Sequence, residues 1–436
     1  MSLSVIFRQH IALRQKSTEQ ALRECRFDAL VIGAGELQYY AEDDAAVSHR
    51  SYHHFNHWCP LSGENHLLVI RPGQKPELCA YIPDDYWHEH ADLEDAFWLA
   101  EFNITSFGNV EALWQHIAKV RDGIYIGPDK ARAEAAGLKT DAANLLPRLN
   151  WERSFKSEYE VKCVERATRR AATGHVAARE AFFAGGSELD IHHAYMRAIR
   201  QIDRQLPYET IVCLNEKAAV LHYHKKRDKT RLGKTFLLDA GVRYKGYACD
   251  ITRSYAADAA PAEFRNLLGG MNKLQQNLCG LIKPGLSFEH LHAQAHLDIA
   301  ALLLDHGVLR SVSKEQAVER GLSQVFFPHG LGHMLGIHVH DVAGKQVDRT
   351  GTLPTPQAKH KTLRASRILD AGNLLTVEPG VYFIDMLLKP QRSGEHAACF
   401  NWPLIDTLMP CGGIRIEDNV LVTRSGQRNI TRAFLP

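Results

Sequence analysis

Residues 236–255, FLLDAGVRYKGYACDITRSY, contain two short runs that lead into Asp239 and Asp250. With residues 243–246 as a four-residue loop, the runs predict an antiparallel hairpin in which Asp239 lies directly opposite Asp250. Opposed side chains in such a hairpin have Cβ atoms ~4.5–5.5 Å apart, so two bare carboxylates would repel each other. A bound cation would remove this repulsion, and a pair of aspartates in strand-end turns is the alternative.

Three later segments add carboxylates and a cluster of histidines. FFPHGLGHMLGIHVHD (326–341) crowds four histidines among three glycines, which favours a site over a lone core histidine. NLLTVEPGVYF (373–383) ends an apolar run at Glu378, and GGIRIEDNVLVT (412–423) places Arg415 and Glu417 on one face of a strand. By themselves, a solvated glutamate at a strand end and an Arg415–Glu417 salt bridge remain the alternatives.

Taken together, these segments predict a centre for two metal ions. Buried carboxylates are costly unless they are paired or metal-bound, and a dinuclear centre would neutralise them and supply a nucleophilic hydroxide. Imidazole with carboxylate oxygens suits Mn²⁺, Co²⁺, Fe²⁺ or Zn²⁺ better than Ca²⁺, and the lack of thiolates argues against a structural zinc. The candidate ligands are Asp239, Asp250, His333, Glu378 and Glu417.

Bulk composition restricts the class of protein. The 436 residues suffice for two to three domains, and the net charge of +2 gives no reason to expect nucleic acid or an anionic membrane as a partner. No stretch has the ~18 uncharged apolar residues of a membrane span, and the first residues lack the pattern of a signal peptide. Nine cysteines without a CxxC pair indicate reduced thiols in a cytoplasmic protein.

The chain divides near residue 155 into two predicted domains. Residues 1–155 alternate strand-like runs, such as FDALVIGAG (27–35), with the helical pattern VEALWQHIAKV (110–120), and so predict an α/β domain. Residues 156–436 mix helices with strands and predict an α+β domain. It opens with a long helix capped by Ser157 and Glu160 and stopped at Gly185 and Gly186. Residues 341–363 are polar and predict a surface loop.

The order and context of the candidate ligands resemble the pita-bread metallopeptidases, and within them the prolidase branch. The likeness extends to VCLNEKAAVLHYHK (212–225), to TLRASRILDAG (362–372) and into the first domain at VIRPGQKPELCAYIPDDYWH (69–88). It implies a creatinase/aminopeptidase-like catalytic fold and hydrolysis of dipeptides with a C-terminal proline. It further implies two divalent ions, with Mn²⁺ expected and Co²⁺, Fe²⁺ or Zn²⁺ as alternatives, and a homodimer.

The resemblance also implies roles for single residues. Asp250 and Glu417 would bridge the two ions, Asp239 would complete one, and His333 and Glu378 the other. Glu378, together with His222 and His340, would act in catalysis. Arg364 would bind the carboxylate of the substrate, and three further residues would line or support the pocket: His329, Arg415 and Tyr208. One departure is Phe288, where prolidases often have tyrosine, so the polarity of the small pocket is in question.

Other readings of the sequence are weaker. Aminopeptidase P, which shares these ligands and acts on longer Xaa-Pro-Yaa peptides, is the enzymatic alternative, and a non-catalytic relative is a third. VIGAGELQYY (31–40) begins like a dinucleotide fingerprint and fails at Gln38. Six histidines of the first domain fit no ligand spacing and predict a solvated loop: His49, His53, His54, His57, His88 and His90.

Overall fold

The computed structural model describes residues 2–87, 93, 96–229, 232–354 and 362–436. They form two compact units, one of Met1–Val161 with Asp348–Thr352 and the other of Lys162–Val347 with Leu353–Pro436. None of the helices in these ranges is long and apolar enough to cross a bilayer.

The first unit is built on a mixed five-stranded sheet. The strands run in the order β4-β3-β2-β1-β5, with β1/β5 and β3/β4 parallel and the other neighbours antiparallel. The elements are α1 (Leu3–Cys25), β1 (Ala29–Gly33), α2 (His53–Trp58), β2 (Leu67–Ile70), β3 (Glu77–Tyr81), β4 (Asn103–Phe107), α3 (Val110–Ile117), β5 (Gly123–Ile126), α4 (Lys130–Ala135) and α5 (Leu146–Arg153).

The histidine-rich segment of the first unit differs from its prediction. His53 to His57 lie in helix α2, where His54 and His57 are buried. The prediction of a solvated loop is therefore wrong for these residues, because polar side chains can be buried where neighbouring groups accept or donate their hydrogen bonds. His54, for example, bonds to the side chain of Asn150 at 3.1 Å. His88 and His90 lie outside the described residues.

The predicted long helix is confirmed as α6 (Glu158–Phe183). Its start is a capping box, since the Ser157 N–H donates to Glu160 at 2.9 Å and the Glu160 N–H approaches the Ser157 hydroxyl at 3.4 Å. Gly185, at φ 82°, follows the end of the helix.

The second unit combines short strands with longer helices. Its strands are β6 (Ile211–Leu214), β7 (Thr235–Asp239), β8 (Arg243–Tyr244), β9 (Tyr247–Ala248), β10 (Thr252–Ala256), β11 (Leu374–Val377), β12 (Gly380–Tyr382), β13 (Gly413–Arg415), β14 (Asp418–Val422) and β15 (Gln427–Asn429). They form two three-stranded sheets, β10-β7-β6 and β11-β14-β15, and the pairs β12/β13 and β8/β9. The helices after α6 are α7 (Glu188–Ile199), α8 (Ala262–Gly280), α9 (Phe288–Asp305), α10 (Lys314–Glu319), α11 (Leu322–Phe326), α12 (Asp385–Leu388) and α13 (Trp402–Leu408).

Helices α8 and α9 supply much of the apolar core of the second unit. Each has a buried stripe, and these stripes join residues of β11 to β14 in one cluster. Phe288, the departure from the prolidase pattern, is fully buried at the start of α9. In the predicted loop, residues 341–354 and 362–363 contain no helix or strand, while 355–361 lie outside the described residues.

The hairpin around residue 245 forms with a register other than the predicted one. Arg243 pairs with Ala248 and Tyr244 with Tyr247, so the loop has two residues and Asp239 lies opposite Thr252. The cause is a tight turn in which Lys245 and Gly246 take φ values of 49° and 88°, as a type I′ hairpin turn requires. Because the error is two residues, Asp239 and Asp250 still share one face.

Candidate dinuclear metal centre

The four carboxylate candidates lie at or just beyond the ends of short strands in the second unit. Asp239 ends β7, and Asp250 lies in the bend between β9 and β10. Glu378 links β11 to β12, and Glu417 links β13 to β14. Strand ends of several ladders therefore converge on one place, which brings residues distant in sequence together.

His333 reaches this place on an irregular segment that pairs with β11. The Thr376 N–H donates to the His333 carbonyl at 2.9 Å, and the Glu378 N–H donates to the Leu331 carbonyl at 2.8 Å. Between them, a Cβ at Gly332 would collide with the carbonyl oxygen of Thr376. Glycine is thus required for the close approach that positions the imidazole.

The donor atoms of Asp250, His333 and Glu417 lie within 4.8 Å of one another, and all three residues are buried. His333 Nε2 is 3.5 Å from Asp250 Oδ2 and 3.6 Å from Glu378 Oε1. His333 Nδ1 is 3.0 Å from the Met334 carbonyl, which can only accept, so Nδ1 carries the proton. Nε2 therefore faces carboxylate oxygens, and either a proton on Nε2 or a cation must lie between them.

Burial and mutual repulsion alter the ionisation of the carboxylates. Burial raises the pKa of Asp239 to about 6 and that of Glu378 to about 7, and it raises the pKa of Glu417 well above its usual range. Burial also acts on Asp250, but hydrogen bonding to His333 outweighs it and lowers the pKa of this carboxyl. Four carboxyl groups this close cannot all ionise at neutral pH without positive charge among them.

Three polar side chains donate hydrogen bonds to the carboxylates. The Tyr208 hydroxyl donates to Asp250 Oδ1, and the Thr252 hydroxyl donates to Glu417 Oε2 at 2.7 Å. Arg415 donates to Asp239 Oδ2 at 2.8 Å. The other oxygen of Asp239, Oδ1, is buried and accepts no hydrogen bond within the described structure.

These observations fit a pair of divalent ions. Oxygen and imidazole donors converge, one buried oxygen has no hydrogen bond, and the crowded carboxylates need positive charge. The donor set contains no sulfur, which suits Mn²⁺, Co²⁺, Fe²⁺ or Zn²⁺ in a reactive centre rather than a structural zinc site.

A cavity of about 250 Å³ opens onto the carboxylates. It is lined by the five candidate ligands and by all but one of the other predicted site residues. The predicted residues that line it are His222, His329, His340, Arg364 and Arg415, together with Asp239, Asp250, His333, Glu378 and Glu417. Tyr208 is not among the lining residues, and it contacts the centre through Asp250.

The two histidines predicted to act in catalysis lie on the cavity wall. The ring of His340 is 4.4 Å from that of His333, edge to face. Burial lowers the pKa of His340 to about 4 and also lowers that of His222, so both rings are neutral near pH 7. A neutral imidazole can donate a hydrogen bond and can also accept a proton.

Sequence reasoning missed Tyr382, which joins two of the predicted residues. Arg415 donates to the Tyr382 hydroxyl at 3.0 Å, and this hydroxyl lies 2.8 Å from His329 Nε2. His329 Nδ1 lies 2.9 Å from the Gly330 carbonyl, so Nε2 is the acceptor. The hydrogen bonds thus run in one direction, from Arg415 through Tyr382 to His329. In the sequence, the strand-like pattern of Gly380–Tyr382 was the one signal that involved this tyrosine.

Residues 162–424 match the family described as "Metallopeptidase family M24", and residues 5–151 match "Xaa-Pro dipeptidase, N-terminal domain". The chain belongs to metallopeptidase family M24. The match at 162–424 covers more than half of the chain and contains every residue of the candidate centre, from Tyr208 to Glu417.

Several Xaa-Pro dipeptidases are similar to this chain over nearly its full length. The Xaa-Pro dipeptidase of Enterobacter sp. (strain 638) is 40% identical over 438 residues, covering 99% of this chain and 98% of the relative. Those of Escherichia coli O1:K1 / APEC and Serratia proteamaculans (strain 568) are 40% identical over 442 and 440 residues, with the same coverage.

Two solved structures show the same fold as this chain. E. coli aminopeptidase P with the inhibitor Pro-Leu superposes with a TM-score of 0.75 at 22% identity, covering 98% of this chain and 95% of that one. The Zn-substituted form in complex with product gives the same values. The predicted fold class, an α/β N-terminal domain followed by an α+β pita-bread domain, is confirmed.

Proposed function

We propose that this M24 protein hydrolyses Xaa-Pro dipeptides and releases the C-terminal proline. The observation that carries the proposal is the presence of Arg364 in the same cavity as the five candidate ligands. Full-length likeness to Xaa-Pro dipeptidases supports the substrate class.

The proposed ligands divide the two ions between them. Asp250 and Glu417 would bridge, Asp239 would complete one ion, and His333 and Glu378 would complete the other. When bound, such ions polarise a carbonyl and lower the pKa of a water molecule to near neutrality. Tyr208 and Thr252 would hold the bridging carboxylates in orientation, as partners of metal ligands commonly do.

Three side chains of the cavity would move or hold charge during hydrolysis. Glu378 would accept the proton of the attacking water and relay it towards the prolyl nitrogen. His340 and His222, neutral at the wall, would donate hydrogen bonds to the oxyanion or pass a proton to the leaving nitrogen. This assistance matters because the Xaa-Pro bond is a tertiary amide that has no N–H and is crowded by the ring.

Arg364 would decide the length of the substrate. A guanidinium can bind a free carboxylate through two parallel hydrogen bonds, and a peptide that continues beyond the proline has no carboxylate at this place. His329 and Arg415 would line the pocket, linked through Tyr382.

Further features of the protein are part of the proposal. We infer Mn²⁺ as the native ion from the resemblance to prolidases, and the imidazole–carboxylate donor set also suits the alternatives Co²⁺, Fe²⁺ and Zn²⁺. Nine cysteines without a CxxC pair support a reducing, cytoplasmic location. We also propose a homodimer, a domain division of 1–155 and 156–436, and no nucleic-acid partner, the last from the net charge of +2.

A direct assay tests the proposed activity. The purified protein, reconstituted with Mn²⁺, should turn over Leu-Pro or Gly-Pro and should lose this activity to a chelator. A Xaa-Pro-Yaa tripeptide should be a much poorer substrate. Preference for the tripeptide would instead support aminopeptidase P activity, and a lack of metal-dependent turnover on both would support a non-catalytic relative.

A further inference from the structure

A second set of metal-ligand side chains lies in the first unit, on the face of the sheet that α3 covers. Glu77 and Cys79 are two positions apart on β3 and so project from the same face. His116 comes from the last turn of α3, which packs on that face through Leu113 and Ile117. One donor atom from each of these three residues, Glu77, Cys79 and His116, lies within 4.8 Å of the others.

The chemistry of this set differs from that of the catalytic cavity. It offers a thiol, an imidazole and a carboxylate, a combination that binds Zn²⁺ through sulfur, nitrogen and oxygen. A Zn²⁺ ion with a thiolate, a carboxylate and a neutral imidazole has no net charge, so it can lie at the edge of a core. Mg²⁺ and Ca²⁺ take oxygen ligands, so a site with a thiolate does not suit them.

The surroundings already orient the carboxylate. Arg71 donates to Glu77 Oε2 at 3.0 Å, while Oε1 lies 2.7 Å from His116 Nε2. Arg71 can therefore keep its hydrogen bond to Oε2 while Oε1 leaves the imidazole and binds an ion. Hydrogen-bond partners of metal ligands commonly orient them in this way. The site is thus held by contacts outside the ligand set.

The site is closed on one side and open on the other. Cys79 is fully buried, whereas the side chains of His116 and Glu77 are 30% and 16% exposed. An ion can enter from the exposed side, where water can take a fourth position. The burial of Cys79 excludes most other thiol chemistry, because burial raises the pKa of its thiol to about 12.

We propose that Glu77, Cys79 and His116 bind one Zn²⁺-class ion, separate from the dinuclear centre. Binding replaces the S–H bond of Cys79 with a sulfur–metal bond and releases that proton to solvent. The proton of His116 moves from Nε2 to Nδ1 by exchange with water, and Nε2 then binds the ion. One proton is released for each ion bound, and nothing is oxidised or reduced.

Cobalt distinguishes this site from the catalytic one. The full-length protein is freed of metal and titrated with Co²⁺, and the near-ultraviolet absorption of thiolate-to-cobalt charge transfer is recorded. Because the catalytic donors include no sulfur, only a thiolate site gives this band. We expect the band in the wild-type protein and one more bound equivalent of Co²⁺ than in Cys79→Ser, which should lack the band.

Two further variants keep the test decisive. His116→Gln changes a partly exposed position. It should weaken the Co²⁺ binding that produces the band at least tenfold and leave Leu-Pro turnover unchanged. Cys25→Ser, at a partly exposed thiol outside the site, should keep the full band. A missing band in the wild type, a band that survives in Cys79→Ser, or one that is lost in Cys25→Ser would each overturn the proposal.

Discussion

Each compact unit contains a buried group of carboxylates and histidines, and the two groups differ in the space around them. In the first unit, Glu160 lies 3.7 Å from His10 and 3.3 Å from His57, and it accepts the Ser157 N–H. The small cavity that reaches His57 measures about 10 Å³, barely enough for one water. The carboxylates of the second unit face about 250 Å³.

The comparison shows that residue type alone does not identify a site. The glutamate and histidines of the first unit contact one another, and Glu160 caps α6, so they stabilise the fold, although Glu160 Oε1 is buried with no hydrogen bond among the described residues. In the second unit Asp239 Oδ1 likewise has no hydrogen bond among the described residues, but there the side chains surround open space. The open space, and not an unsatisfied oxygen, separates a reactive centre from a polar part of a core.

The largest expected effect comes from exchanging matched glutamates in the two groups. Glu417→Gln should remove metal and lower kcat/KM for Leu-Pro by at least about 10³-fold, about 4 kcal/mol, because the amide cannot bridge two ions. Glu160→Gln should keep its metal and kcat while losing stability, since the amide alters the buried contacts of this side chain with His10, His57 and the Ser157 N–H. Metal analysis and steady-state kinetics on both variants check this, and equal losses of activity would undo the contrast.

Arg364→Met should have the next largest effect. Losing a charge-assisted pair of hydrogen bonds to the substrate carboxylate should lower kcat/KM for the dipeptide by about 10²-fold, about 3 kcal/mol, mostly through KM. The metal content should not change. Arg424→Met, at another exposed arginine, is the control, and an unchanged KM in Arg364→Met would rule out the carboxylate role.

Acid should destabilise the first group through its histidines. Burial lowers the pKa of His10 to about 4 and that of His57 to about 3, whereas unfolded histidine titrates near ~6.5. Below that value the unfolded chain binds more protons, so stability is complete above pH ~6.5 and falls as the pH drops towards these folded pKa values.

The loss should reach about 2 kcal/mol between pH 7.5 and 5.5, and His57→Gln should flatten the dependence by about one proton. Urea unfolding followed by tryptophan fluorescence reports on this region, because five of the six tryptophans precede residue 162. A His57→Gln variant with the wild-type slope would show that this histidine is not the titrating group.

Tyr382→Phe should have the smallest effect. The variant removes the hydroxyl between Arg415 and His329 and should lower kcat about tenfold, about 1.4 kcal/mol, with little change in KM. Tyr244→Phe, which removes a surface hydrogen bond to Arg166, should leave kcat unchanged. If both variants keep wild-type kcat, the hydroxyl does not support the reaction.

Much of the fold followed from local patterns in the sequence. The capping box of Ser157 and Glu160, the strand around residue 30 and the helical pattern of residues 110–120 all obey short-range rules. The separate segments that hold the candidate ligands could be proposed because each combines an apolar run with a carboxylate or imidazole. Their meeting around one cavity depends on tertiary pairing that no local pattern contains.

The errors have equally physical causes. Lys245 adopts a left-handed conformation in which lysine is uncommon, so the sequence did not announce the two-residue turn. His54 and His57 are buried by partners distant in sequence, such as Asn150 and Glu160. Tyr382 connects Arg415 and His329 only after β12 and β13 pair, and this pairing decides which side chains its hydroxyl can reach.

The pairing of distant strand ends has a consequence for biosynthesis. Thr252 and Glu417, joined by a hydrogen bond at the centre, are 165 positions apart. Under the proposed assignment of ligands, a nascent chain that has passed Asp239 and Asp250 would offer an arriving ion only part of its coordination sphere until Glu417 has been translated. Which cation the enzyme acquires is therefore decided after synthesis, by the ions available to the finished fold.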